Sequence, residues 1–444
     1  MITFKQYIDS GSVILEKSGY FSQHLSHLED LAIEKGKTGF QDFLAHVNGI
    51  TNKIRGYESE HEVNAKIDGS PAILFGLDPK TSSFFIALKY IIDVATDTIK
   101  PNAKLLHTAD EINTFLGDRP EFASKMISLL DNLKAAYDNS GKIYQGDVLY
   151  AEPSDKKRIR IGNEEFIAFE PNVIMYAVPM DEKSEIFNKV LTSNVGVIVH
   201  DSFKPKLIKD TIKLIPAGKK IDTLIASSNN SKAFIKGSNY GVESFDVDNK
   251  IFDDINSAIV TITDNINKIS DEFNAEYISP AKGSPSGQLL ALLQQYLNKQ
   301  LDLDDSGFFN TKKQYNFKLL FDGYKKFVTD KLGKGLESLA PKGQAARQQK
   351  IAATNTYIEK NMVNFNHLLA ATYNMLKVKN IIYGLLSNLD TKLTKHTFYK
   401  LPDGSYVKTK DEGFVLFMGN NQVKIVDRVD FTKMNRARGG KYNR

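Results

Sequence analysis

The sequence contains no cysteine. A disulfide framework, a thiolate nucleophile, a Cys-ligated zinc and an iron–sulfur cluster are therefore excluded. Long hydrophobic runs are missing as well: no apolar stretch approaches the roughly eighteen residues that a membrane span needs. Residues 1–22 carry neither a basic n-region nor an uninterrupted apolar h-region, which leads to the expectation of a cytoplasmic protein with no membrane partner. Of the 8 histidines only His24 and His27 lie close together, so a zinc centre is not expected and His200 and His367 read as structural. A strong overall charge is also lacking, with 58 Lys+Arg against 53 Asp+Glu and a formal net charge of +5. At this length such a balance says little about partners.

What is present is an ordinary globular composition, 41% hydrophobic and 10% aromatic over 444 residues, enough for two or three domains. The charge is unevenly placed. Residues 311–400 hold fifteen lysines and one arginine against five acids (Asp322, Asp330, Glu337, Glu359, Asp390), a local excess of eleven, which leaves the remainder six negative. Clustered cations attract phosphate according to local charge, so this segment is a candidate nucleic-acid surface, with a solvated lysine-rich helical face as the plainer alternative.

Helical spacing in Leu25, Leu28, Leu31 and Ala32, and again in Phe40, Phe43, Leu44 and Val47, predicts two short helices in an N-terminal segment, residues 1–55. Residues 56–247 turn to β texture. Val63–Ile92 reads as a strand pair around the turn Asp78–Ser82, a helix is expected near Glu121–Tyr137, and strands return at Ile143–Tyr150, Glu165–Phe169, Val173–Val178 and Val195–Val199. From about Asp248 to residue 395 the period becomes helical, as in Leu289, Leu292, Leu293, Tyr296 and Leu297, with breaks expected at Ala281–Gly287 and Leu339–Gln349. Residues 396–444 revert to short β runs around the turns Pro402-Asp403-Gly404 and Gly419-Asn420-Asn421. These last strands are too few for a core of their own, so the chain is expected to return to the sheet it left. The fold class is then α+β: an antiparallel-sheet domain with a helical leader and a long, mostly helical insertion.

The chemistry centres on Ala65-Lys66-Ile67-Asp68-Gly69-Ser70. A lysine at a strand end, succeeded by a carboxylate and a glycine in a turn, can present a primary amine as a nucleophile. Its ordinary pKa of about 10.4 would have to be lowered by cations, metal or burial before it could attack at neutral pH. Gly69 would let the backbone approach a ligand closely. An exposed surface turn would have the same four residue types.

Taken in order with the motifs downstream of it, this loop resembles the covalent nucleotidyltransferase superfamily of ATP-dependent DNA and RNA ligases and mRNA capping enzymes. Lys66-Ile67-Asp68-Gly69-Ser70 resembles the first motif, in a form closer to RNA ligases. Lys89 lies where such ligases carry a basic strand residue. Tyr144-Gln145-Gly146-Asp147 resembles the third motif, with Asp147 where most relatives have Glu, and Phe166–Tyr176 resembles the next strand, whose aromatic stacks on the nucleobase. Asp411-Glu412-Gly413-Phe414-Val415 and Val423-Lys424-Ile425-Val426-Asp427 are similar to the fourth and fifth motifs. Val195–Val199 is a rival fourth motif but lacks a carboxylate.

The resemblance implies a ligase-adenylation, ATP-grasp-like fold, ATP and Mg²⁺ (or Mn²⁺) as cofactors, and strand joining through a lysyl-AMP on Lys66. Asn64, Ile67, Gly69, Ser70, Lys89, Tyr176 and Lys424 would bind nucleotide, and Asp68, Asp147 and Glu412 metal. The implied partner is RNA or ended DNA, held by residues 311–400. Departures are Val426 for the second lysine of a Lys-x-Lys motif, Asn64 for an acid and Ser70 for an Arg, with Arg428 a candidate substitute cation. Only about twenty residues come after Lys424, too few for the family's OB barrel, so the helical insertion would have to grip the polynucleotide. The pattern His24-Leu-x-His27-Leu-Glu-Asp-Leu31 is also similar to large uncharacterised proteins of tailed bacteriophages. A capping-type or protein-modifying acceptor, or a non-catalytic phage nucleic-acid-binding or assembly protein, remains open beside the ligase.

Overall fold

The computed structural model describes residues 25–93, 96–172, 174–217, 232–237, 239–240, 247–303, 307–312, 315–387, 396–400, 405–409, 412–418, 421–430 and 432. His24, Asp411, Pro402-Asp403-Gly404 and Gly419-Asn420 lie outside them.

After a 3-10 turn at Leu28–Asp30, helix α1 (Leu31–Ile54) runs across a break at Gly36, whose φ of 58° and ψ of −133° are not helical. Of the two short helices expected there, the one through Phe40–Val47 lies within this element, whereas of the first only Leu31 and Ala32 do, Leu28 being in the 3-10 turn and Leu25 outside any helix. The expected strand pair is the hairpin β2 (Ala72–Leu77) and β3 (Phe84–Leu88), while β1 (Glu62–Ala65) leaves for a different sheet. Next come β4 (Ile92–Asp93), β5 (Thr98–Ile99), α2 (Ala109–Phe115) and α3 (Pro120–Ala136). They lead into β6 (Ile143–Tyr150), β7 (Lys156–Ile161), β8 (Glu164–Phe169), β9 (Met175–Pro179) and α4 (Glu185–Thr192). The β half then continues as β10 (Val195–Ile208), β11 (Thr211–Pro216), β12 (Ala233–Gly237) and β13 (Asn239–Tyr240).

The helical part comprises α5 (Asn249–Asn267), α6 (Asp271–Ile278), α7 (Leu289–Gln300), α8 (Phe317–Gly333), α9 (Pro341–Lys360) and α10 (Met362–Ser387). The break expected over Leu339–Gln349 is mostly helix. Pro341 stands in the first turn of α9, where a missing N–H costs nothing and the fixed φ suits helix entry, so proline here starts an element. The chain closes with β14 (His396–Lys400), β15 (Tyr406–Thr409), β16 (Phe414–Met418) and β17 (Asn421–Ile425).

Among the described residues the fold is mixed α/β with three largely antiparallel sheets, the β10–β12 pair being parallel. One sheet runs β3-β2-β6-β10-β11-β5-β4, a second β15-β14-β9-β8-β7 and a third β13-β1-β16-β17. Late strands thus join early ones twice, β14 beside β9 and β16 beside β1. The third sheet is joined to the helices by one core. Phe40, Phe43 and Val47 of α1, Leu293 of α7, Leu376 of α10 and Leu416 and Ile425 of the strands belong to one buried cluster. Burying such side chains stabilises by about 1.5–3 kcal/mol each. Separate clusters pack α2 and α3 on the β2–β6–β10 face, and Ile67, Tyr150 and Phe169 between the first two sheets. Among the described residues no helix is long and apolar enough to cross a membrane.

Gly413 is a critical joint. Its φ is 136°, and a Cβ there would sit 2.2 Å from the Ile425 carbonyl oxygen. Gly413→Ala is expected to lower the unfolding free energy by about 1–3 kcal/mol, read by denaturant titration, whereas an unchanged midpoint would show that the entry into β16 is slack.

Candidate functional site at the sheet crossover

Lys66 stands where the chain leaves one sheet for another. Its backbone N–H donates to Gly413 O at 2.8 Å, extending the β1–β16 ladder by one rung. From three residues later the loop is tied to β6: Ser70 N–H donates to Val148 O (2.8 Å), Val148 N–H to Pro71 O (3.1 Å), and Gly69 N–H to Asp147 Oδ2 (3.3 Å). A Cβ on Gly69 would lie 2.3 Å from Val148 O. The close approach that Gly69 permits is to the β6 backbone, and the expectation that it serves a ligand is replaced by this one.

Asp68 is held through its backbone. Its N–H lies 3.1 Å from Glu412 Oε2 and 3.0 Å from the Tyr176 hydroxyl, and its carbonyl accepts from Asn172 Nδ2 at 2.7 Å. The Asp68 carboxylate is 41% exposed and forms an ion pair with Lys66 Nζ. Glu412 Oε2 is 3.5 Å from the same nitrogen, with its side chain 2% exposed. Burial, then the Asp68 charge, push the Glu412 carboxyl up to about 8 against the opposing pull of Lys66. Burial drags the Lys66 ammonium down, but Glu412 and Asp68 outweigh it and the net shift is upward. The resting lysine is a paired ammonium, opposite to the depressed pKa a nucleophile requires.

Asp147 has a different partner. Its Oδ2 is 3.4 Å from His200 Nε2. Burial raises the Asp147 carboxyl, yet His200, Lys89 and the Gly69 amide leave it below its ordinary value. His200, read from the sequence as structural, therefore partners a candidate site residue. It comes directly after the apolar run Val195–Val199, which was the only available signal. Lys89 opens a 3-10 turn after β3 and acts on this same pair.

Lys424 lies on β17 opposite Val415, and its pKa is lowered by burial, then by Lys66 and Arg428. Arg428 does not replace the missing second lysine: its guanidinium bonds both Asp30 oxygens (3.0 and 2.9 Å) and Asn298, and covers the Phe309 ring at 4.6 Å. Tyr176 also departs from the role its resemblance implies. It is 1% exposed, packed in the core beside Phe169, with its hydroxyl on the Asp68 backbone. It braces the Lys66 loop and offers no open face to a base. Ile67 is core, Asn64 is buried on β1 and Ser70 is exposed.

Among the described residues no three His, Asp or Glu side chains converge as a ready metal site. Asp68 and Glu412 do meet at Lys66. Mg²⁺ commonly takes one or two carboxylates from a protein, the number this pair offers. Asp147, engaged with His200, is not joined to the pair.

The chain belongs to a family of unknown function, DUF6267, whose model matches residues 22–438. No curated protein and no solved structure matches it.

The raised Glu412 carboxyl has a measurable consequence. Its folded pKa of about 8 exceeds the ordinary value of 4.5, so its contribution to stability is full below about 4.5 and is lost as pH rises through 8. The unfolding free energy of wild type relative to Glu412→Gln is expected to decline from pH 5 to 8 and then level off. A flat difference would mean that Glu412 is ionised throughout.

Proposed function

We propose that the protein is an ATP-dependent polynucleotide ligase, RNA being favoured over DNA, that works through an adenylate on Lys66. The observation that carries this reading is the meeting of Lys66 Nζ with Asp68 and Glu412, a residue 346 positions away, at the crossover between two sheets. Lys424 acts electrostatically on the same lysine. A lone lysine turn on a surface would have no reason to gather a buried carboxylate and a second, mostly buried cation from the far end of the chain.

In this reading Lys66 loses its proton, its Nζ attacks the α-phosphorus of ATP, and the bond to the pyrophosphate oxygen breaks. A divalent cation held with the nucleotide at Asp68 and Glu412 would offset developing phosphate charge and loosen both carboxylates from Lys66, removing the pull that keeps it protonated. Lys424 would face the phosphates. The adenylate would then pass to a 5′-phosphate end, and a 3′-hydroxyl would displace AMP.

The acceptor strand has a matching surface. Lys318, Lys326 and Lys331 on α8 and Lys342, Arg347 and Lys350 on α9 are exposed. α9 buries only Thr354 and Ile358, so nearly all of this helix faces solvent. Among the described residues two cations of the segment are held in ion pairs, Lys379 by Glu29 and Lys325 by Glu359, and Arg347 donates to the Lys334 carbonyl.

Exchange of labelled pyrophosphate into ATP, with Mg²⁺ present, tests the first step: wild type should catalyse it and Lys66→Ala should not. Exchange that survives in Lys66→Ala, or is missing in folded wild type, would defeat the proposal and favour a nucleic-acid-binding protein without chemistry. The buried Val426, in place of a second lysine, is what supports that second reading.

Added salt should separate the two halves of the protein. Joining of single-stranded ends is expected to fall steeply, with a log–log slope of roughly −0.7 per phosphate contacted, and Lys342→Glu with Lys350→Glu should flatten it. Pyrophosphate exchange should change far less. Equal salt sensitivity of both reactions would remove α9 from the substrate path.

A further inference from the structure

The segment His27-Leu28-Glu29-Asp30-Leu31 has no part in the chemistry described so far. In the fold it lies against the last strand. Lys424 N–H donates to Ser26 O at 2.9 Å, and His27 pairs with Lys424 as an isolated parallel bridge. Lys424 is opposite Val415, and Val415 is opposite Asn64. Residues paired across a sheet share a face, so the side chains of His27, Lys424, Val415 and Asn64 form one row on one side. Lys66, two residues beyond Asn64 and still bonded to Gly413, continues along that face.

Two members of the row lack a side-chain partner among the described residues. His27 Nδ1 is buried and makes no hydrogen bond. Lys424 is mostly buried, and no ion pair joins it to a described carboxylate. The nearby acids are occupied elsewhere: Asp30 and Glu29 by Arg428, Glu29 also by Lys379, which in turn donates to Val426 O at 2.8 Å. Polar groups buried without partners are destabilising until a ligand supplies acceptors. The cations around His27 are Arg428, Lys424, Lys379 and Lys66, and together with burial they keep the imidazole neutral. Asp30 and Asp68 attract the Lys424 ammonium from a distance without pairing with it, and a neutral imidazole beside an ammonium that no described carboxylate contacts is suited to an anion with several acceptor oxygens.

We propose that His27 and Lys424 together bind a phosphate group of the nucleotide, His27 supplying the second donor that the chain lacks at Val426. This rests on the nucleotide reading of the Lys66 site. Glu29, Asp30, Arg428 and Lys379 are then the frame that fixes the row, because they clamp the segment before α1 to α10 and to the end of β17.

The test uses the full-length protein with His27→Ala, His27→Asn and Lys424→Ala. Adenylation of Lys66 is measured in single turnovers, and binding of ATP and of adenosine is measured separately in a Lys66→Ala background. Loss of a donor to developing phosphate charge should slow adenylation by roughly 10²-fold. It should weaken ATP without weakening adenosine, and His27→Ala should be less than additive with Lys424→Ala. Added imidazole should partly restore His27→Ala, which no folding defect would allow.

Wild-type adenylation in both His27 variants would overturn the proposal while leaving the ligase reading intact. So would equal losses of ATP and adenosine binding together with a lowered Tm, since these denote a structural role. A wild-type protein that neither adenylates nor binds ATP would instead refute the nucleotide reading, and this inference with it.

Discussion

The arrangement depends on the pairing of β1 with β16. Four residue pairs, from Glu62 with Phe417 to Ala65 with Phe414, join segments from opposite ends of the chain. The bond from Lys66 N–H to Gly413 O then sets the lysine one step beyond the last pair. Because side chains alternate strictly along a strand, a slip of one residue would turn Asn64 and Lys66 to the opposite face. Register is secured from both sides. Phe414 and Leu416 are buried in the helical core and Ile67 in the core between the other two sheets. The helical region serves the site by burying one face of the sheet on which the lysine's strand lies.

Electrostatics then gives the site its resting character. One carboxylate, Asp68, is partly exposed and paired with Lys66, while Glu412 lies buried against the same nitrogen, its carboxyl pushed up by burial. The lysine is held as an ammonium by neighbours that another cation could recruit. In the structure, then, the amine is paired and not a free nucleophile. Further out, the buried pair Lys379–Glu29 and the Arg428–Asp30 bond contribute little net stability of their own, since desolvation offsets most of the attraction. Breaking either would leave a charge stranded, so they specify how the segment before α1, the helix α10 and the end of β17 fit together.

Much of this is written locally and some of it is not. The hairpin at Asp78–Ser82, the helix after Arg119 and the run Val195–Val199 are legible because turn residues and periodicity act over a few positions. The meeting of Glu412 with Lys66 was reachable only through the resemblance of short motifs, since no periodicity links residues so far apart. Three features were illegible. Proline at 341 marks a helix start as readily as a break, and the two differ only in the bonding of the next turn. Tyr176 has an aromatic ring at the expected place, but whether the ring faces a ligand or the core depends on packing with Phe169 and on the Asp68 backbone. His200 and His27 gain their neighbours from strand pairing, which a linear reading cannot supply.

The most direct measurement is to locate the modified residue. The protein is incubated with ATP and Mg²⁺ and digested under conditions that preserve a phosphoramidate, and the peptides are sequenced by mass spectrometry. One adenylate, on Lys66, is the expected result. Adenylate on another lysine, or unmodified Lys66 in folded protein that has bound ATP, would contradict the assignment.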